Sequence, residues 1–208
     1  MAGHSFIING STTSDNNIIA NAFSDMFRLH FTPVNTADDG LLPPFRPNIP
    51  VLSDIAVTLD EVLSQLKNIK PNASGGPDGI PSLVLYKCAF SLVPSIWAFY
   101  NFTLNQGGTP KAWNKANIIP VHKSGPHNSI HNYRPISLTC VLCKVLERLI
   151  AIKMLKHLRD NNLLSEHQHG FLPRRSCVTL LTHVLNTWYR NLNTVGVKQI
   201  DVISLDMS

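Results

Sequence analysis

Cysteine is scarce in this sequence: Cys88, Cys140, Cys143 and Cys177 are the four in 208 residues, too few for the disulfide framework of a small secreted domain. The opening MAGHSFIING has neither a basic start nor an apolar run, so no secretory signal is read and an intracellular, thiol-reduced setting is expected. Long apolar runs are also lacking. The strongest, LVLYKCAFSLVPSIWAFYNF (83–102), is interrupted by Lys87, Ser91, Pro94, Ser95 and Asn101. It predicts buried helices rather than a span, and no membrane partner. The glycine-rich SGGPDG is not followed by Gly-Lys-Ser or Gly-Lys-Thr, which excludes a phosphate loop. No Gly-x-Ser-x-Gly elbow occurs either. Cys140 and Cys143 have Cys-x-x-Cys spacing, but no matching second pair accompanies them, so a zinc-stapled domain is the poorer expectation. Two small buried thiols in the first turn of a helix are the better one.

What is present is enough for a core. Hydrophobic residues make up 44% of the chain and charged residues only 15%, which excludes global disorder. The net charge of +5 hides an asymmetry. Residues 1–66 carry two bases and seven acids, a net −5, whereas 67–208 carry sixteen bases and six acids, a net +10. The basic part is suited to a polyanion, nucleic acid or nucleotide.

Periodicity organises the chain. Residues 14–31 read as a helix capped by Ser14 or Asp15, with Ile18, Ile19, Ala22, Phe23, Met26 and Phe27 at helical spacing. TPVNTADDGLLPPFRPNIP follows, and its five prolines mark an extended linker. The region 1–57 is thus expected to be a linker with one helix. Thr58 and Glu61 have capping-box spacing at the start of a second helix, which ends before Pro71. A helical stretch from Pro81 is expected to break near Pro94 and resume to Gln106, where Gly107 and Gly108 stop it. ANIIPVH (116–122) predicts a strand, KSGPHNSIHNY a polar loop, and RPISL a second extended segment. From Thr139 to about Asp160 a long amphipathic helix carries Lys144, Arg148, Lys153, Lys156 and Arg159 opposite its apolar stripe. A further helix is expected at 177–193 and a last strand at 199–206.

Two features are candidates for chemistry, each with an ordinary alternative by spacing alone: a solvated hairpin edge for the first and a turn carboxylate for the second. Lys123 and Arg134 bracket the polar loop, so a hairpin would bring a point charge and a forked guanidinium to one edge, the parts that grip a triphosphate. Asp206 stands at the expected strand end, where a carboxylate can hold a hard cation such as Mg²⁺.

KPNASGGPDGIPSLVLYKC, WNKANIIPVHKSGPHNSIHNYRPISLTCVLCKVLERLI, QHGFLPRRS and VISLDMS, in this order and spacing, resemble the reverse transcriptase of non-LTR (LINE-like, Jockey-type) retrotransposons. The resemblance covers about residues 58–208, and NYRPISL, Gln-x-Gly-Phe and LDMS are its most specific parts. The segment 9–31 resembles the linker such polyproteins carry before the polymerase. An α+β, helix-rich fold is implied: a partial right-hand polymerase, fingers and first palm strand.

The resemblance also implies roles. Asp206 falls on the first palm aspartate, a ligand to catalytic Mg²⁺ (or Mn²⁺), with the Met207 carbonyl as an extra ligand. Lys123 and Arg134 fall on the residues that hold the phosphates of the incoming deoxynucleoside triphosphate. Gly75, Gly76 and Asp78, together with Gln168, Gly170, Phe171, Arg174, Arg175 and Ser176, fall on segments lining the channel for RNA template and DNA primer. In the family the chain continues past LDMS toward Lys-Ala-Phe-Asp and a hairpin with paired aspartates. Here no Asp-Asp pair follows Asp38-Asp39. An amino-terminal part truncated at the first palm aspartate is therefore expected, one that does not hold the metal and is catalytically silent alone. The alternative is a non-catalytic RNA-binding remnant of a mobile element.

Overall fold

A computed structural model describes residues 5–29, 50–52, 55–196 and 199–205. Two compact units are present, Met1–Met154 and Leu155–Ser208, and the boundary falls within one long helix. The fold mixes helices with two small antiparallel sheets.

The first unit begins with strands β1 (Phe6–Ile8) and β2 (Ser11–Thr13). Their turn, Asn9-Gly10, has positive φ at both positions (51° and 80°), the type I′ geometry that matches the twist of a two-residue hairpin. Helix α1 (Asn16–Arg28) follows, with the Asp15 carboxylate accepting from the Asn17 and Ile18 amides. It is shorter than the 14–31 expected, and residues 30 and 31, like most of the linker, lie outside the described residues. Helix α2 (Leu59–Lys67) carries the predicted capping box: Thr58 Oγ1 accepts from the Glu61 amide at 3.2 Å and Glu61 Oε2 from the Thr58 amide at 2.9 Å. The helix therefore starts at Leu59 for a local reason, independent of what it packs against.

The expected break near Pro94 is not there. Helix α3 (Ser82–Lys87) ends at Cys88, and α4 (Ala89–Gln106) runs through Pro94 to a left-handed cap at Gly107 (φ 63°). Packing decides this: Ala89, Val93, Ile96 and Tyr100 of α4 are all buried in the main core, and holding that face in register outweighs the one backbone bond a proline removes. Strands β3 (Asn117–His122) and β4 (Tyr133–Leu138) pair antiparallel, Asn117 against Leu138 through His122 against Tyr133. Helix α5 (Val141–Asp160) comes next.

Two apolar clusters hold this unit. In the larger, Val62 and Leu66 of α2, Tyr100 of α4, and Val145 and Leu149 of α5 meet. Its buried polar atoms are satisfied: Tyr100 Oη donates to the Leu142 carbonyl at 2.7 Å, and Asn101 bonds both the amide and the carbonyl of Val57. The smaller joins Phe6, Phe23, Met26 and Phe27 to Ile130 and Tyr133, with Phe6, Phe23 and Tyr133 in mutual ring contact. Helix α1 is thus packed on the segment around β4.

In the second unit the chain turns through 161–176 into helix α6 (Cys177–Leu192), whose capping box pairs Ser176 with Thr179. The expected last strand is not formed over 199–205, where Val202, Ile203 and Leu205 are exposed. A strand needs a ladder partner and a face to bury, and none pairs with this segment among the described residues. No helix among the described residues is long and apolar enough to cross a membrane.

Candidate nucleotide and nucleic-acid interface

The β3–β4 hairpin places the two predicted cations. Val121 pairs with Arg134, and the Lys123 amide donates to the Asn132 carbonyl at 2.7 Å, extending the ladder by one position. Because side chains alternate across a strand, Ile119, Val121 and Lys123 share one face with Arg134 and Ile136. Both cations are exposed, and so are Ile119, Val121 and Ile136. Two positive groups therefore stand at one end of an open apolar strip. The opposite face, with Ile118, Pro120 and Tyr133, borders an apolar cavity of about 520 Å³ shared with Phe6, Phe23 and Phe27.

The connecting loop is held by its own polar groups. His122 Nε2 is 2.9 Å from the Gly125 carbonyl, Asn132 Nδ2 donates to the Pro126 carbonyl at 2.8 Å, and Tyr133 Oη donates to the His127 carbonyl at 2.9 Å. The His122 and His127 rings stack at 3.8 Å. Gly125 has φ 79°, and a Cβ there would stand 2.8 Å from the Asn132 amide nitrogen. These bonds fix the backbone on both sides of Lys123 and leave its side chain to solvent.

The SGGPDG turn docks on the start of α5. A Cβ on Gly76 would lie 2.5 Å from the Cys140 Cα, so only glycine lets the two backbones touch. Gly75 is less tightly set, with the Ile80 carbonyl oxygen 3.2 Å from such a Cβ. Asp78 Oδ1 accepts from the Ile80 amide at 3.3 Å, closing its own turn, and borders a small cavity with Lys111 and Lys115. Cys140 and Cys143 are buried as packing thiols. Burial and then the Asp78 carboxyl hold the Cys140 thiol above its usual range, and burial with Glu147 beside it pushes Cys143 up to about 11. Both stay protonated at neutral pH.

The basic side of α5 divides. Lys153 Nζ bonds Glu61 Oε1 at 2.7 Å, and Lys156 is paired with Asp160 one turn on. Burial would raise the Glu61 carboxyl, but the Lys153 bond and the Thr58 amide outweigh it and hold it below its usual value. Lys144 and Arg148 instead line a cavity of about 330 Å³ with Lys70, Ser74 and Ser82. Charge pattern alone did not separate these groups; the acid at Asp160, four residues after Lys156, was the available signal.

In the second unit, Phe171 and Arg174 adopt positive φ (60° and 65°), and Phe171 is fully exposed. Gln168 Nε2 contacts the Gly170 carbonyl at 3.5 Å. Arg175 donates to the Glu166 carbonyl and reaches His169 Nε2 at 3.5 Å, while Ser176 caps α6. The Arg175 loop is thus fastened at its base. His169 lies below its ordinary pKa through desolvation and the charges of Arg175, His183 and His167. Asp206 and Met207 lie outside the described residues. Among the described residues no group of three or more His, Cys, Asp or Glu side chains could hold a metal ion.

No family model matches the chain. It is similar to the "Probable RNA-directed DNA polymerase from transposon BS" of Drosophila melanogaster, 29% identical over 182 residues, covering 81% of this chain and 20% of that protein. It is similar also to the RNA-directed DNA polymerase from mobile element jockey of Drosophila melanogaster, 28% identical over 173 residues, 79% of this chain and 19% of that one. A third relative, from transposon X-element of the same organism, is 28% identical over 153 residues, 73% of this chain and 16% of its own length. The chain spans about a fifth of the length of the first two of these curated relatives. Its motifs and these matches agree: it is a homologue of the RNA-directed DNA polymerases of non-LTR retrotransposons.

Proposed function

We propose that this chain supplies the fingers of an RNA-directed DNA polymerase, in a right-hand arrangement, together with the segment that becomes the first palm strand once the rest of the palm pairs with it, and that its β3–β4 hairpin receives the deoxynucleoside triphosphate. The observation that carries this is the shared face of Lys123 and Arg134 in a homologue of such polymerases. Lysine offers a compact charge and arginine a two-pronged donor, a combination suited to adjacent phosphates, and the Ile119, Val121 and Ile136 strip offers a surface for the sugar and base. The SGGPDG turn and residues 168–176 contribute to the channel for RNA template and DNA primer. Electrostatic positioning of this kind is most of what a protein contributes to phosphoryl transfer.

Mg²⁺ or Mn²⁺ on Asp206 and the Met207 carbonyl belongs to the same proposal. No described residues make a fitting metal cluster, so no step is assigned to the ion. The 208-residue chain alone is proposed to bind without catalysing. Primer extension on an RNA template with Mg²⁺ and, separately, Mn²⁺ tests that: no incorporation is expected, and template-dependent incorporation by this chain overturns its silence.

A further inference from the structure

The cavity between the 68–74 segment and α5 has a composition unlike the others. Lys70, Lys144 and Arg148 line it together with Asn68 and Ser74, and no Asp or Glu does. Among the described residues no acid is within ion-pair distance of any of these three cations, whereas Lys153 and Lys156 of the same helix are both paired. Three like charges around one concave volume repel one another, and an anion in that volume relieves the repulsion. The wall is built: Gly76 presses the 71–80 turn onto Cys140, and Ser82 Oγ, buried, donates to the Ala73 carbonyl at 3.1 Å, which sets Ala73 and Ser74 opposite α5.

We infer that this cavity is a phosphate site that seats one backbone phosphodiester of a single-stranded nucleic acid, separate from the Lys123 and Arg134 face. Arg148 gives the two-pronged contact, Lys70 and Lys144 the flanking charges, and Ser74 and Asn68 neutral hydrogen-bond donors. The strand, as source of the phosphate, rests on the polymerase reading above; the anion chemistry does not.

The test uses the full chain and a fluorescent oligouridine, with anisotropy followed across salt concentration. Lys144→Gln/Arg148→Gln is expected to bind about tenfold more weakly, since charged hydrogen bonds are lost. Its logarithmic salt slope should fall by about 0.7, the value for one single-strand phosphate. Lys70→Gln should move both in the same direction. Lys153→Gln/Lys156→Gln removes the same charge from the same helix and is expected to leave the slope unchanged. Equal losses in the two double variants, or wild-type binding by the cavity variant, overturn the site and leave nucleic-acid binding standing. Inorganic phosphate is titrated in parallel against the Arg148 Nε–H resonance. A shift there without oligouridine binding makes the cavity a free-anion site and overturns both the strand assignment and the nucleic-acid reading; no response in either arm overturns all three.

Discussion

Helix α1 buries Phe23, Met26 and Phe27, whereas α6, with Leu181, Leu185 and Tyr189 at helical spacing, buries none of its residues. The two sequences are equally amphipathic by pattern. What differs is the cover: α1 lies under Phe6, Ile130 and Tyr133, groups from both ends of the first unit, while no described residue of 155–205 is buried. An amphipathic pattern states that a face must be covered and does not say by what. Stability in this chain is accordingly expected to reside in Met1–Met154.

The sharpest way to break that contrast is a pair of truncations. Leu66→Ala, at a fully buried α2 position, should cost about 2–5 kcal/mol in urea unfolding. Leu185→Ala, 57% exposed on α6, should change stability by no more than about 0.5 kcal/mol. Comparable losses would mean that α6 has a cover in solution. Smaller effects are expected from the glycines. Gly76→Ala forces backbone apart at Cys140 and should cost about 1–3 kcal/mol, while a methyl on Gly170 meets nothing within 4 Å and should be neutral in the same measurement.

The smallest effect is electrostatic. Glu61 is held below its ordinary value of 4.5 in the folded chain, so its pairing with Lys153 contributes fully above that pH and is lost as pH falls through the lowered value. Both groups are partly exposed, and the contribution should stay below about 1 kcal/mol. Glu61→Gln should lower stability at pH 7 by less than about 1 kcal/mol and remove the loss of stability that acidification below pH 4.5 causes in the parent.

Local chemistry was legible in the sequence. Asp15, the Thr58 and Glu61 box and Gly107 start or stop helices through bonds to near neighbours, and the short apolar, β-branched ANIIPVH and the extended RPISL mark the β3 and β4 strands. The Asn9-Gly10 turn was equally local and went unread, although Asn-Gly between short β-forming segments is a strong hairpin signal. Long-range facts were not legible. That Gly76 meets Cys140 and that Lys153 finds Glu61 depend on residues 64 and 92 positions distant, and that Pro94 is carried inside α4 depends on a shared core. The placement of 199–205 depended on a pairing partner that no local pattern supplies.

Lys123 and Arg134 sit on the first unit's hairpin, where the backbone is fixed and the side chains are free, and that combination is the core of the proposed function. The direct measurement is the affinity of a deoxynucleoside triphosphate for the full chain and for Lys123→Ala/Arg134→Ala, with oligouridine affinity recorded beside it. A loss of triphosphate affinity of tenfold or more, at about 1.5–3 kcal/mol per charged hydrogen bond, with oligouridine binding retained, is the predicted result. Unchanged triphosphate affinity in the double variant would contradict it.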